Sequence, residues 1–219
     1  MHFFIELFRD LTNADWITAH GGLYIVLFII FAETGLFVGF FLPGDSLLFV
    51  TGLIIKTAQN PLPFAEPVLN LLYWITLISA GGIIGNMVGY WFGNRSGHLL
   101  MKRQDTFFFK KKHIIQAHDF YEKKGGMAIL LARFLPIVRT FAPIVGGMAE
   151  MNYKKFIYYN ILGCLAWVIS MTLAGYFLGK IEWVQHNLEK IVIGLIIVTT
   201  GPVLFKMFFG RKKEAPANH

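Results

Sequence analysis

The chain has 219 residues, 55% of them hydrophobic and 16% aromatic, with 15% charged and a mean hydropathy of +0.55. These values exclude an ordinary soluble globular domain and predict an integral membrane protein built as one polytopic domain. The formal net charge of +7 rests on 20 basic against 13 acidic residues, and its placement along the chain carries more information than its total.

In chain order, residues 1–21 open with "MHFFIELFRDLTNADW", which lacks the basic start and small-residue cleavage site of a signal peptide. Phe4, Leu7, Phe8 and Leu11 recur at helical spacing opposite Glu6, Arg9 and Asp10, predicting a short helix lying in the membrane interface. Apolar runs follow at 23–55, 71–93, 127–149, 156–179 and 191–209, against the ~20 residues that one spanning helix needs. The run 23–55 is too long for one span and is interrupted by Gly39, Pro43 and Gly44, with Glu33 and Asp45 inside it. The helix expected over 71–93 carries Gly85, Gly89, Gly93 and Gly97 at four-residue spacing, a small-residue face that lets another helix backbone approach.

Residues 94–126 hold eight basic and three acidic residues, and "FFFKKKHIIQAHDFYEKKGG" within them suits a helix on anionic lipid rather than a nucleic-acid contact. The positive-inside rule places this connector, residues 150–155 and the tail 210–219 in the cytoplasm. The run 127–149 then has both flanks cytoplasmic and must enter and return, broken at Pro136 and Pro143. The run 23–55 reads as its counterpart from the outer face, broken at Pro43 and Gly44. The alternative for 23–55 is one long, tilted, proline-kinked helix.

"GYWFGN" at 89–94 and "GYFLGK" at 175–180 each close a hydrophobic helix that follows a proline-broken segment with two charges. Gly175 and Gly179 of the second copy are assigned to helix packing with Gly85, Gly89 and Gly93 of the first. The expected architecture is therefore an all-α polytopic membrane protein. It holds an inverted repeat of a re-entrant hairpin plus a transmembrane helix (23–93 and 127–180), a further transmembrane helix at 191–209 and the N-terminal interfacial helix.

Four ionisable residues remain within the membrane runs: Glu33, Asp45, Arg133 and Arg139. Two buried ion pairs that only hold the hairpins together would explain them, but such pairs stabilise poorly against apolar residues of similar volume. The functional reading makes Arg133 and Arg139 a phosphate-binding fork for an anionic head group. It makes Glu33 and Asp45 proton carriers. The seven histidines lie outside the apolar runs, His113 and His118, five apart on a charged segment, read as a solvated face rather than a zinc site, and Ser46, Ser170 and Cys164 have no adjacent base, so neither an enzyme nor a cofactor is expected.

The stretches "FAETGLFVGFFLPGDSLL", "GNMVGYWFG", "RFLPIVRTFAPIVGGM", "NILGCLAWV" and "GYFLG" closely resemble the bacterial DedA family of the SNARE-associated, VTT-domain superfamily. The resemblance covers nearly the whole chain. It implies two facing re-entrant hairpins in the bacterial cytoplasmic membrane and movement of lipids between leaflets, with undecaprenyl phosphate as the leading cargo and protons as the coupling partner. It aligns an essential acidic pair with Glu33 and Asp45 and an essential arginine pair with Arg133 and Arg139. Asp45 stands where many members have Glu, and Gly146 where Ala is common. A non-selective phospholipid scramblase and, further off, a lipid-phosphate enzyme are the competing classes, and a homo-oligomer is left open.

Overall fold

The computed structural model describes residues 16–17, 20–36, 44–57, 63–101, 127–133 and 136–178, with isolated positions between 181 and 194. The described residues are helical in the main: α1 (Leu23–Gly35), α2 (Gly44–Thr57), α3 (Pro67–Met101), α4 (Met127–Ala132), α5 (Pro136–Met148) and α6 (Tyr153–Leu178). The interfacial helix expected within 1–21, the connector beyond Met101, the 191–209 helix and the 210–219 tail fall largely or wholly outside them, as do Gly39, Pro43 and Gly179.

Helix lengths separate two kinds of element. Helices α3, with 35 residues, and α6, with 26, contain segments long and apolar enough to cross a membrane. At 1.5 Å per residue they reach about 50 and 40 Å, against a hydrocarbon core of about 30 Å. Helices α1, α2 and α5, of 13, 14 and 13 residues, reach only about 20 Å each. The described residues are thus those of a helical membrane protein, with two long helices and several short ones among them.

Local sequence sets where the elements start. Pro67 and Pro136 each occupy the first position of a helix, where the missing amide costs nothing. The Asn152 side chain caps α6 by accepting from the amides of Lys154 and Lys155 at 3.1 and 3.2 Å. Asp45 lies in the first turn of α2, where the helix dipole favours an anion. Pro143 differs from expectation. It lies inside α5, which continues through it and is not broken there. A proline removes one amide donor, here the one that would meet the Arg139 carbonyl, and a helix held by its neighbours absorbs that loss. Helix α3 also runs on past Gly93 to Met101.

Packing follows a regular plan. Helix α1 packs on α3, and α4 on α6, each within its own half of the sequence; α2 packs on α6, and α5 on α3, each across to the other half. The long helices are antiparallel where they touch: Asn86 meets Asn160, Ile83 also meets Asn160, and Ser79 meets Cys164. Glycines allow the close crossings. A Cβ on Gly52 would strike the backbone of Thr172 and Tyr176, one on Gly175 the Phe49 carbonyl, and one on Gly93 the Ile144 carbonyl. Gly35 and Gly85 bring α1 and α3 into the same backbone contact.

Residues Gly44 to Ile55 of α2 are all buried, so α2 forms the centre of the molecule. The outward faces of α3 and α6 carry exposed Leu72, Ile84, Trp91, Tyr158, Ile169 and Phe177, the side chains that lipid would cover. One apolar cluster joins α1, α2, α3 and α6 through Ile30, Leu47, Ile54, Ile78 and Trp167. A smaller one joins α3, α4, α5 and the start of α6 through Tyr90, Ile129, Ala142 and Phe156.

Candidate functional site

The four ionisable residues of the apolar runs come together between these two clusters, each 7% exposed or less. Glu33 arrives from the last turn of α1, Asp45 from the first turn of α2, Arg139 from the first turn of α5, and Arg133 from the turn after α4. Each therefore sits at or next to an end of a short helix. Gly44 begins α2, and a Cβ there would collide with the Glu33 carboxylate. Glycine at 44 is the condition for Glu33 to lie across the start of α2.

The charges are not arranged as two pairs. Arg139 takes both carboxylates, with Nη2 donating to Glu33 Oε1 and Nη1 donating to Asp45 Oδ1 at 2.5 Å. The two arms of one guanidinium thus clamp α1 and α2 to α5. Asp45 Oδ1 accepts a further hydrogen bond from Trp167 Nε1 at 2.6 Å, and the indole ring lies under the Arg139 guanidinium at 4.5 Å. The second Glu33 oxygen, Oε2, has no hydrogen-bond partner among the described residues.

Arg133 is differently placed. Among the described residues it makes no ion pair; its Nη2 donates to Asn160 Oδ1 at 2.6 Å, and its Nη1 has no hydrogen-bond partner. Its guanidinium is 5.9 Å from the Trp167 ring, and Cys164 lies beside it. Asn160 is itself fixed, because its Nδ2 donates to the Ile83 carbonyl at 3.2 Å, which leaves the oxygen facing Arg133. Asn86 of α3 completes the group by donating to the same Asn160 oxygen at 2.6 Å. With its amide turned over, Asn86 would instead offer its oxygen to Arg133 and its nitrogen to the Thr34 carbonyl at 3.1 Å. In either orientation Arg133 meets neutral acceptors only.

Sequence reasoning missed Asn86, Asn160 and Trp167. Their signal was present in "GNMVGYWFG" and "NILGCLAWV", where a lone amide and an indole stand in apolar helices. Asn160, Gly163 and Trp167 recur three and four residues apart, which puts them on one face of α6. The packing glycines have other placements. Gly85 meets Thr34 and Phe31 of α1, Gly93 and Gly97 meet α5, Gly175 meets α2, and Gly89 faces Pro143 and Ile144 at ordinary contact distance. Among the described residues no three of His, Cys, Asp and Glu are grouped as a metal site would require.

Chemically, the site offers a guanidinium fork already occupied by two carboxylates and a second guanidinium with spare donors. Such an arrangement can accept an oxyanion at the second arginine and exchange it against the carboxylates at the first.

Residues 42–177 match the family model described as the VTT domain. The chain is similar to Protein DedA of Escherichia coli, with 41% identity over 221 residues covering 99% of this chain and 97% of that protein. It is also similar to an uncharacterized membrane protein of Mycobacterium leprae (36% identity; 86% of this chain, 81% of that one). A third relative is the inner membrane protein YqjA of Escherichia coli (34%; 79% and 74%). No solved structure matches the chain.

Proposed function

The chain belongs to the DedA family of VTT-domain membrane proteins, and from that premise we propose that it moves an anionic lipid, undecaprenyl phosphate foremost, between the leaflets of the cytoplasmic membrane. The observation that carries this reading is Arg133: a guanidinium 2% exposed, without an ion pair among the described residues and with one nitrogen unsatisfied. A buried cation with no carboxylate bonded to it is costly, and a phosphate head group is the oxyanion that matches its planar fork. Nothing in a purely structural role requires that arrangement.

The membrane placement we propose is two re-entrant hairpins, α1–α2 and α4–α5, facing each other from opposite leaflets, with the C-terminus cytoplasmic. Its support is the helix lengths, the exchange of α2 and α5 between halves, and the antiparallel contact of α3 with α6. These are the features of an inverted-topology repeat with its site at the midplane.

In the proposed cycle, a phosphate head group binds Arg133, reaches Arg139, and competes there with Glu33 and Asp45, while the isoprenoid tail stays in lipid. Proton uptake by either carboxylate would release an arm of Arg139 to the phosphate. All four residues are buried in this arrangement, so admission of a head group requires α2 and α6, or α3 and α5, to part. Transport follows only if head group and proton bind the two access states differently.

The test is purified protein in liposomes, with translocation of undecaprenyl phosphate compared with that of phosphatidylcholine, each with and without a proton gradient. Faster, gradient-dependent movement of the phosphate lipid supports the reading. Equal, gradient-independent rates identify a scramblase, and release of free phosphate an enzyme.

A further inference from the structure

We infer that Asn160 is a positioning residue that orients Arg133 without pairing its charge, so that the guanidinium remains available to an incoming oxyanion. The inference rests on the reading of Arg133 as the phosphate-binding group and assigns the element that makes such binding workable.

A buried guanidinium needs its donors satisfied, and the usual solution is a carboxylate, as Glu33 and Asp45 supply for Arg139. At Arg133 the acceptor is a carboxamide oxygen instead, of the same size and reach as that of an aspartate but without formal charge. The amide is held from behind by the Ile83 carbonyl, so the oxygen cannot turn away. Gly163, on the same face of α6, lets the stem of Arg133 cross: a Cβ there would come within 3.1 Å of Arg133 Cγ. Asn86 reaches the same point from α3 and is also neutral. Asn160 thus meets the cation directly, Asn86 meets it with its amide turned over, and neither long helix contributes a charge. A neutral acceptor orients the guanidinium without filling its electrostatic demand. An aspartate at either place would give up the amide's donor contact, to the Ile83 carbonyl in the case of Asn160, and would neutralise the guanidinium.

The test uses full-length protein in a neutral maltoside detergent and follows thermal unfolding on addition of dodecyl phosphate, with dodecylphosphocholine as the zwitterionic control. For the wild type, dodecyl phosphate raises the unfolding temperature more than the control does. Asn160→Asp exchanges the bond to the Ile83 carbonyl for an ion pair with Arg133 and unfolds near the wild-type temperature without ligand, but it loses the phosphate-specific shift, its apparent affinity falling about tenfold or more as a fixed carboxylate replaces the ligand. Asn86→Asp, which delivers the charge from α3, shows the same loss and serves if Asn160→Asp does not fold. Asn160→Ala loses the contacts to both Ile83 and Arg133 and unfolds below Asn160→Asp without ligand. Full phosphate-specific stabilisation of either Asp variant overturns the assignment of Asn160 while leaving the phosphate reading intact. Absence of that stabilisation in the wild type overturns both.

Discussion

The indole of Trp167 donates to Asp45 Oδ1 at 2.6 Å, and that same oxygen accepts from Arg139. One carboxylate oxygen is thereby held from two sides, by α6 and by α5, and the Trp167 ring adds its face to the Arg139 guanidinium. Replacing Trp167 by Phe keeps the ring and removes the donor, at an expected cost of about 1.5–3 kcal/mol for a hydrogen bond to a charged group. Trp167→Ala also opens a cavity in the apolar core and should cost about 3–5 kcal/mol. Thermal unfolding in detergent checks the order, wild type above Phe above Ala.

Arg139 serves two carboxylates through separate nitrogens, a task for a fork rather than a point charge. Arg139→Lys retains the charge but can no longer span Glu33 and Asp45 together, so it should lose most transport and a substantial part of stability. Arg139→Met leaves two buried carboxylates without a cation and should cost about 3–5 kcal/mol. Adding Glu33→Gln and Asp45→Asn to Arg139→Met removes the two stranded carboxylates and should recover stability without recovering transport. Unfolding temperature and liposome transport, measured on the three proteins, separate these outcomes.

The glycines of α3 are not equivalent. Gly93 faces the Ile144 carbonyl so closely that a Cβ has no room, whereas a Cβ at Gly89 would meet Ile144 and Pro143 side chains at 3.5 and 3.6 Å. Gly89→Ala should fold with near wild-type stability, and Gly93→Ala should push α5 from α3 and lower the unfolding temperature clearly. Gly52→Ala should behave like Gly93→Ala, because it separates α2 from α6 at the Thr172 carbonyl.

Much of this was legible in the residues themselves. Charges in apolar runs are conspicuous because lipid penalises them, so Glu33, Asp45, Arg133 and Arg139 stood out without any structure. A four-residue glycine period in a long apolar helix is equally plain, since it defines one helix face. The pairing was not legible. Six residues separate Arg133 from Arg139, and only the turn between α4 and α5 decides that one meets two carboxylates and the other an amide. Asn86 and Asn160 escaped notice because a single amide in a spanning helix is ordinary, and their meeting depends on the antiparallel register of α3 and α6. The sequence predicts a break at Pro143 because proline removes a helix hydrogen bond, yet packing against α3 holds α5 continuous through it.

The proposed topology makes a prediction at the surface. Cysteines introduced singly within residues 60–67 and 105–112, with Cys164 replaced by Ala, should react with an impermeant maleimide from opposite sides of the membrane. Reaction from the same side would contradict the inverted arrangement of the two hairpins.

The central claim is that Arg133 receives the phosphate of the transported lipid. The most direct measurement is undecaprenyl phosphate translocation in proteoliposomes by the wild type and by Arg133→Ala, in preparations shown to be equally folded and incorporated. The account predicts a loss of about tenfold or more in the variant's rate, with phosphatidylcholine movement unchanged. Wild-type undecaprenyl phosphate translocation by Arg133→Ala would contradict it.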